Sequence, residues 1–459
     1  MRQRSLIAVL VVLAAVAGLV LIRLSGRVQD REEAEVRQCV REVLPYVEQA
    51  AGKKLKHIPE LKVGSRKEIE AVLAEEFARD YESSRLHLSP GEIRRRSSYW
   101  AKQFARAAAG LYLRSTKKLV VLPQNILALM QKTHVGKEHY HAVLKLIVAH
   151  ELTHALQGQE GIQKRYDHLT TAQEKQVIGS MLIEGYAEFT TGRVAEAMHI
   201  PEVKAMLDTM QKNSLAIDQR YGGQAAISRR IVEEQLMLAQ RFFSWHYANG
   251  GSPRLWQVMA NPPASALMFY HPETYSPKAQ SSVDRSSVLK GMENRFGSGP
   301  WNVITYGLDV IGLTAAAKEV MPDRADQLMT GIIDEPYLAA QSGRATVVIR
   351  LYVMKSKAYA PLVAAFSRKG FRKQFVPTDK SIPVTGPVES DIRIPGFDYV
   401  GRETLVVGTG SQRSWKRHYE FTRDNDMVMV FAEGVRLTDQ QAASIAREVL
   451  TRLKGIESR

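Results

Sequence analysis

The pentapeptide His150-Glu151-Leu152-Thr153-His154 constrains this chain more than any other segment. On a helix, two histidines four positions apart lie on one face and can aim both imidazoles at a single ion, with Glu151 beside that ion's open position. The stretch ahead of it, Ala142-Val143-Leu144-Lys145-Leu146-Ile147-Val148-Ala149, is rich in large apolar residues, so the helix is expected to be buried. Buried imidazoles need a partner, and the spacing points to Zn²⁺.

A second helical stretch follows, from Gln176 to Phe189, in which Val177, Met181, Glu184 and Glu188 fall on one stripe at spacings of 4, 3 and 4. Two carboxylates thus occupy a row that would otherwise face a core, and they call for a cation or strong donors. Sequence alone does not fix the rotation of this helix, so either Glu184 or Glu188 can be the one that meets the histidines. His134, His139 and His141 lie among Lys132, Lys137 and Glu138 and read as a solvated face.

These segments resemble the gluzincin metallopeptidases, the thermolysin-like branch of the zincins. In that family HExxH is followed by a second helix carrying a glutamate ligand, with an acidic residue one turn later that holds the first histidine. The resemblance implies His150, His154 and Glu184 as metal ligands, Glu151 as the catalytic base and Glu188 as the group that orients His150. The wording His-Glu-Leu-Thr-His-Ala-Leu-Gln at 150–157 with Ile-Glu-Gly-Tyr-Ala at 183–187 is similar to a prokaryotic group pairing HELTHALQ with an EGDA-type segment. Tyr186 stands where that group has aspartate. Asn261-Pro262-Pro263-Ala264-Ser265 and His271-Pro272-Glu273-Thr274-Tyr275 are similar to its PPxS and HPExY segments. His271 is either a donor to the reacting carbonyl or part of a structural turn, and it is left out of the catalytic set. The similarity covers roughly residues 40 to 280.

Leu6 to Ile22 is a run of 17 uncharged, mostly apolar residues behind Arg2 and Arg4 and ahead of Arg23. It reads as a retained single-pass membrane anchor in preference to a cleaved signal, because apolar residues continue past the small-residue triplet Ala15-Val16-Ala17. A short N-terminus ahead of such a run usually stays in the cytoplasm, which would put the catalytic domain outside it. The lone Cys39 can form no internal disulfide. A formal charge of +15 with Lys and Arg scattered along the chain, and no helix-turn-helix, RNP or zinc-finger pattern, argues against a specific nucleic-acid partner. It favours attraction to anionic lipid or an anionic envelope polymer.

The expected organisation is α+β. A transmembrane anchor over 1–27 precedes a mainly helical zincin-like catalytic domain over 28–280 with a small edge sheet, and a C-terminal α+β module over 281–459 follows. Asp30 to Ala51 reads as a helix kinked or interrupted at Pro45. A short edge strand over 58–63 precedes a capping box at Ser65 to Glu68 and a helix to about Arg79, and Ser89-Pro90 opens another helix. Strands at 110–113 and 119–122 form the edge along which, by resemblance, a peptide substrate lies. In the C-terminal module, a strand over 345–353 leads into a helix over 358–368, a hairpin turns at Asp424-Asn425, and Thr438 caps the closing helix. The function these expectations describe is a membrane-anchored zinc metallopeptidase acting on a peptide or protein. The rival is a non-catalytic envelope protein that uses a zincin scaffold with a structural metal, against which Glu151 argues.

Overall fold

The computed structural model describes residues 30–83, 89–132, 134–162, 165, 172–206, 223–263, 266–277, 285–296, 301–308, 310–343, 345–375, 383–409 and 413–457. Its fold is α+β. Packing separates the described residues into two units. One draws on Met1–Arg165, Leu182–Gln219 and His246–Ala260, the other on Tyr166–Met181, Arg220–Trp245 and Asn261–Arg459.

The first unit begins with α1 over 30–51, a continuous helix that Pro45 does not interrupt. Val36, Val40, Val43 and Val47 recur along it at helical spacing and are buried. Packing of that stripe outweighs the one backbone bond that proline removes. β1 (Glu60–Val63) pairs in parallel with β3 (Lys118–Val121), and β3 pairs antiparallel with β2 (Gly110–Leu113), so β2 is an edge strand. Between β1 and β2 lie α2 (Arg66–Ser83) and α3 (Pro90–Ala107). Ser65 opens α2 through a reciprocal cap, Ser65 N donating to Glu68 Oε2 at 2.9 Å and Glu68 N to Ser65 Oγ at 3.4 Å. Ser89 and Glu92 form the same box ahead of Pro90. α2 runs past Arg79 to Ser83.

After β3 come α4 (Pro123–Lys132), α5 (Tyr140–Gln159), α6 (Ala172–Ala197), α7 over 201–206, α8 (Gly223–Ala248) and α9 (Gly251–Ala260), of which α6 up to Met181 and α8 up to Trp245 are counted with the second unit. α5 is the central helix of the first unit. Val143, Leu144, Leu146, Val148 and Leu152 are fully buried in one core with Leu119 of β3 and the α1 valines. At roughly 1.5–3 kcal/mol for each such side chain, this burial fixes the helix that carries the two histidines.

In the second unit α10 (Leu267–Tyr270), α11 (Val310–Val320) and α12 (Ala325–Gly331) accompany β4 (Asn302–Leu308), β5 (Ile332–Asp334), β6 (Pro336–Ser342) and β7 (Ala345–Met354). α13 (Ala360–Phe375), β8 (Val384–Asp391), β9 (Tyr399–Val407), β10 (Ser414–Arg423), β11 (Asp426–Glu433) and α14 (Asp439–Glu457) complete it. The strands form one antiparallel sheet in the order β4-β6-β7-β11-β10-β9-β8, with β5 paired to β7. Alternation along β10 divides its side chains: Tyr419 and Phe421 join the apolar core that includes Ile445 and Val449 of α14, while His418 and Glu420 turn to the face covered by α13. Asp424, at a φ of 55°, makes the turn into β11, and Thr438 caps α14 reciprocally with Gln441.

One expectation is corrected. Among the described residues no helix is long and apolar enough to cross a membrane, which withdraws the single-pass anchor, the membrane placement and the catalytic domain beyond a membrane. α6 and α8, at 26 residues each, have the length but are broken up by charge, for example Glu184, Glu188 and Arg193 in the first and Arg229, Glu234 and Arg241 in the second. The run Leu6–Ile22 lies outside the described residues.

Candidate metal centre

All parts of the centre lie in the first unit. α5 presents His150 and His154 one turn apart, their Nε2 atoms 3.1 Å from each other. α6 brings Glu184 to both, with Oε2 at 3.4 Å from His150 Nε2 and 3.4 Å from His154 Nε2. One donor atom from each of the three residues falls within 4.8 Å of the others. The imidazoles are 18% and 15% exposed and the Glu184 carboxylate 48%, so the cluster is walled on the helix side and open on the other.

The far nitrogen of each imidazole is also placed. His150 Nδ1 stands 3.5 Å from Glu188 Oε1, one turn after Glu184 on α6. His154 Nδ1 is 2.8 Å from Gln157 Oε1, and Gln157 Nε2 donates to the Ile183 carbonyl at 2.9 Å, which ties α5 to α6 beside Glu184. With these partners on the Nδ1 side, each Nε2 faces Glu184. Behind Glu188, Lys204 Nζ on α7 lies 3.0 Å from Glu188 Oε2. α6 ends at Ala197, His199 follows in the turn at a φ of 59°, and the chain then continues through Pro201 into α7, which brings Lys204 there.

Glu151 is 7% exposed and points toward the sheet. Its Oε2 accepts the backbone N–H of Tyr112, on edge strand β2, at 2.7 Å. β2 comes this close because Gly110 has no side chain: a Cβ there would lie 2.7 Å from Ile147 Cγ2 and 3.0 Å from Glu151 Cγ. At the next contact Gly158 leaves room for the Tyr112 ring, which a Cβ would meet at 3.1 Å.

The electrostatics suit a cation. Burial works against protonation of His154, but the Glu184 charge and hydrogen bond outweigh it and raise its pKa to about 9. His150 is raised too, against its own burial, chiefly by Glu184. For Glu184, burial opposes ionisation, yet the two imidazoles hold its carboxyl well below the usual range. Two imidazole nitrogens and one carboxylate oxygen, converging with one side open, are a donor set that Zn²⁺ fits.

Tyr186, where the resembling group has aspartate, is fully buried and packs edge-on against Trp256 at 5.4 Å between ring centroids. The replacement therefore sits in the core and leaves Glu184 in place. His271 belongs to the second unit. It pairs with Glu273 at 3.1 Å and its carbonyl accepts from Thr274 Oγ1, while Tyr275 Oη donates to the Asn261 carbonyl. HPExY is thus a hydrogen-bonded turn, and Ala264 and Ser265 of the preceding segment lie outside the described residues. His141 is 70% exposed and paired with Glu35, and His139 lies beside Glu138.

Gln157, Lys204 and the Tyr112 N–H were not singled out by sequence. Gln157 had a usable signal, since a side-chain acceptor three positions after a histidine on a helix is within reach of its ring. Nothing local points to Lys204.

No protein-family model and no curated protein matches the chain. Among solved structures, one described as "a putative hydrolase with a novel fold" from Chloroflexus aurantiacus is similar at 16% identity and a TM-score of 0.38, over 53% of this chain and 89% of that one. The extracellular domain of PknH from Mycobacterium tuberculosis is similar at 14% identity and a TM-score of 0.21, over 36% of this chain and 81% of that one. At such scores neither likeness bears on function.

Proposed function

We propose that the protein is a zinc-dependent hydrolase of the gluzincin kind that cleaves peptide bonds. The observation that carries this reading is the meeting of Glu184 with both histidines of HExxH, with Glu151 held beside them on an edge strand. His150, His154 and Glu184 would hold the ion. When bound, Zn²⁺ supplies Lewis acidity, which brings the pKa of water to about 7.

The remaining work belongs to the chain. Glu151 takes the proton of the attacking water and returns it to the leaving amine, which asks for a carboxylate of fixed direction. The Tyr112 N–H fixes that direction by occupying Oε2. Glu188 and Gln157 hold the Nδ1 sides of His150 and His154, so each ring keeps one tautomer and one orientation. β2, an edge strand, offers backbone groups to an extended peptide beside Glu151.

One observation favours the non-catalytic rival: the bond from Tyr112 to Glu151 would by itself staple β2 to α5. The two readings part on a direct assay. Protein prepared without chelators should carry about one zinc per chain and cleave unstructured proteins. Absence of any transition metal would remove the first reading, and zinc without cleavage would leave the second.

A further inference from the structure

α3 turns its small side chains to the body of the first unit and its large ones to solvent. Ser97, Ala101 and Ala105, each four positions from the next, form its buried row. Tyr99, Trp100 and Phe104 are 50%, 46% and 49% exposed. At about 100° of rotation per residue, the side opposite the buried row carries Arg95, Arg96, Tyr99, Trp100 and Arg106. Phe104 stands at its margin, edge-on to Phe77 of α2 at 5.3 Å between ring centroids, and Tyr99 meets Trp100 in the same way at 5.3 Å. One exposed ring is ordinary, but three in less than two turns leave an apolar strip that calls for a cover.

The charge around the strip says what that cover is. α3 carries Arg94, Arg95, Arg96, Lys102 and Arg106, all exposed, against Glu92 alone. Glu92 is spent on the cap, where Oε2 accepts from Ser89 N at 3.2 Å. None of the five basic side chains is drawn into an ion pair among the described residues. On the neighbouring α2, Glu68 closes its own cap and Glu76 accepts from Ser115 N at 3.1 Å. Glu70, Glu75 and Glu82 remain on α2, which confines the attraction for an anion to the α3 side of the pair.

We propose that this face of α3 lies on an anionic lipid bilayer, with Tyr99, Trp100 and Phe104 at the level of the headgroups and Arg95, Arg96 and Arg106 on lipid phosphates. Tyr and Trp are apolar rings with a polar tip and settle where lipid meets water. A guanidinium grips a phosphate with two parallel hydrogen bonds. A helix with aromatic residues on one side and arginines interleaved among them rests in the plane of the interface. Such a contact runs along the surface, so it asks for no spanning helix. An apolar groove on another protein would cover the rings but leave the arginines around them without acceptors.

The test reads the helix itself. Cys39 is buried, so in the full chain Gln103→Cys, on the outward side of α3, takes a polarity-sensitive thiol dye at that position alone. Vesicles of phosphatidylglycerol mixed with phosphatidylcholine are expected to shift the dye emission to the blue and brighten it about twofold, and vesicles of phosphatidylcholine alone to leave it unchanged. Adding Arg95→Glu and Arg96→Glu, both at exposed positions, should raise the lipid concentration for half response by about 10-fold or more, and salt at about 0.5 M should act in the same direction. A silent dye overturns the proposal, even where the chain sediments with the vesicles, because the contact then lies elsewhere. An equal response to phosphatidylcholine alone, or an unchanged response in the arginine variant, overturns it as well. An equal response to soluble polyphosphate would make the face a site for dissolved polyanions and would also overturn it.

Discussion

Lys204 Nζ lies 3.0 Å from Glu188 Oε2, and the two side chains are only 11% and 13% exposed. A partly buried carboxylate that also faces His150 is thereby supplied with a compensating charge. Breaking such a pair from one side costs about 3–5 kcal/mol when the remaining charge is fully buried, and less where a second partner stays. Lys204→Met should therefore destabilise the zinc-free protein by about 2 kcal/mol in urea titrations, and adding Glu188→Gln should recover most of that loss. Additive losses in the double variant would show that the two charges act independently.

The two carboxylates of α6 should separate by their effect on the metal. Glu184 reaches both Nε2 atoms and Glu188 reaches only one Nδ1. Glu184→Ala is expected to abolish zinc retention on dialysis, whereas Glu188→Ala should weaken it by about 10 to 100-fold in competition with a chelator. The opposite order would exchange their roles.

Gln157 is expected to behave like Glu188. Gln157→Leu removes both the acceptor for His154 Nδ1 and the tie to the Ile183 carbonyl, so zinc affinity should fall by about 10 to 100-fold while the helical signal in circular dichroism persists. Wild-type affinity in this variant would mean that the histidine is oriented by packing alone.

How much of this centre could be read from the residues depends on what each part is made of. The meeting of His150, His154 and Glu184 was legible because helical spacing puts the two histidines on one face of α5 and the carboxylate on one stripe of α6. The support around them was not. The group that holds Glu151 is a backbone N–H, which every residue but proline has, and its place follows from Gly110 letting β2 approach α5. Lys204 reaches Glu188 only because the chain reverses after α6. In the second unit β7, β10, β11 and α14 announced themselves through runs of β-branched, aromatic and other apolar residues, the Asp424-Asn425 turn and a capping box, whereas β8 is almost wholly exposed and exists through its pairing with β9. Pro45 misled in the other direction, since a proline inside a helix is tolerated when four valines of one stripe are buried around it.

Glu151→Gln distinguishes catalysis from scaffolding. The amide keeps an oxygen for the Tyr112 N–H and leaves the three ligands untouched, but it cannot take a proton. Zinc content and stability should stay near wild type while turnover of an unstructured protein drops by about 10² to 10⁴-fold. If turnover survives, Glu151 is a staple between β2 and α5 and not the base.

Acid should weaken the second unit through His418. Burial holds its pKa at about 3, below the ordinary value of 6.5, and it is stacked on Phe371 at 5.1 Å and bonded to Ser367. Between these two values the unfolded chain binds a proton there that the folded chain refuses, so stability rises with pH across that window and is lost as pH falls from 6.5 toward 3. One such site contributes a slope of about 1.4 kcal/mol per pH unit where the difference is complete. Urea unfolding at a series of pH values between 6.5 and 4.5 should therefore show a shallower dependence in His418→Gln than in the unaltered protein, by close to one proton. The variant should also be less stable at pH 7, because the stacking on Phe371 is gone. Identical slopes in the two proteins would mean that His418 gains its proton without unfolding, against the burial that keeps it neutral.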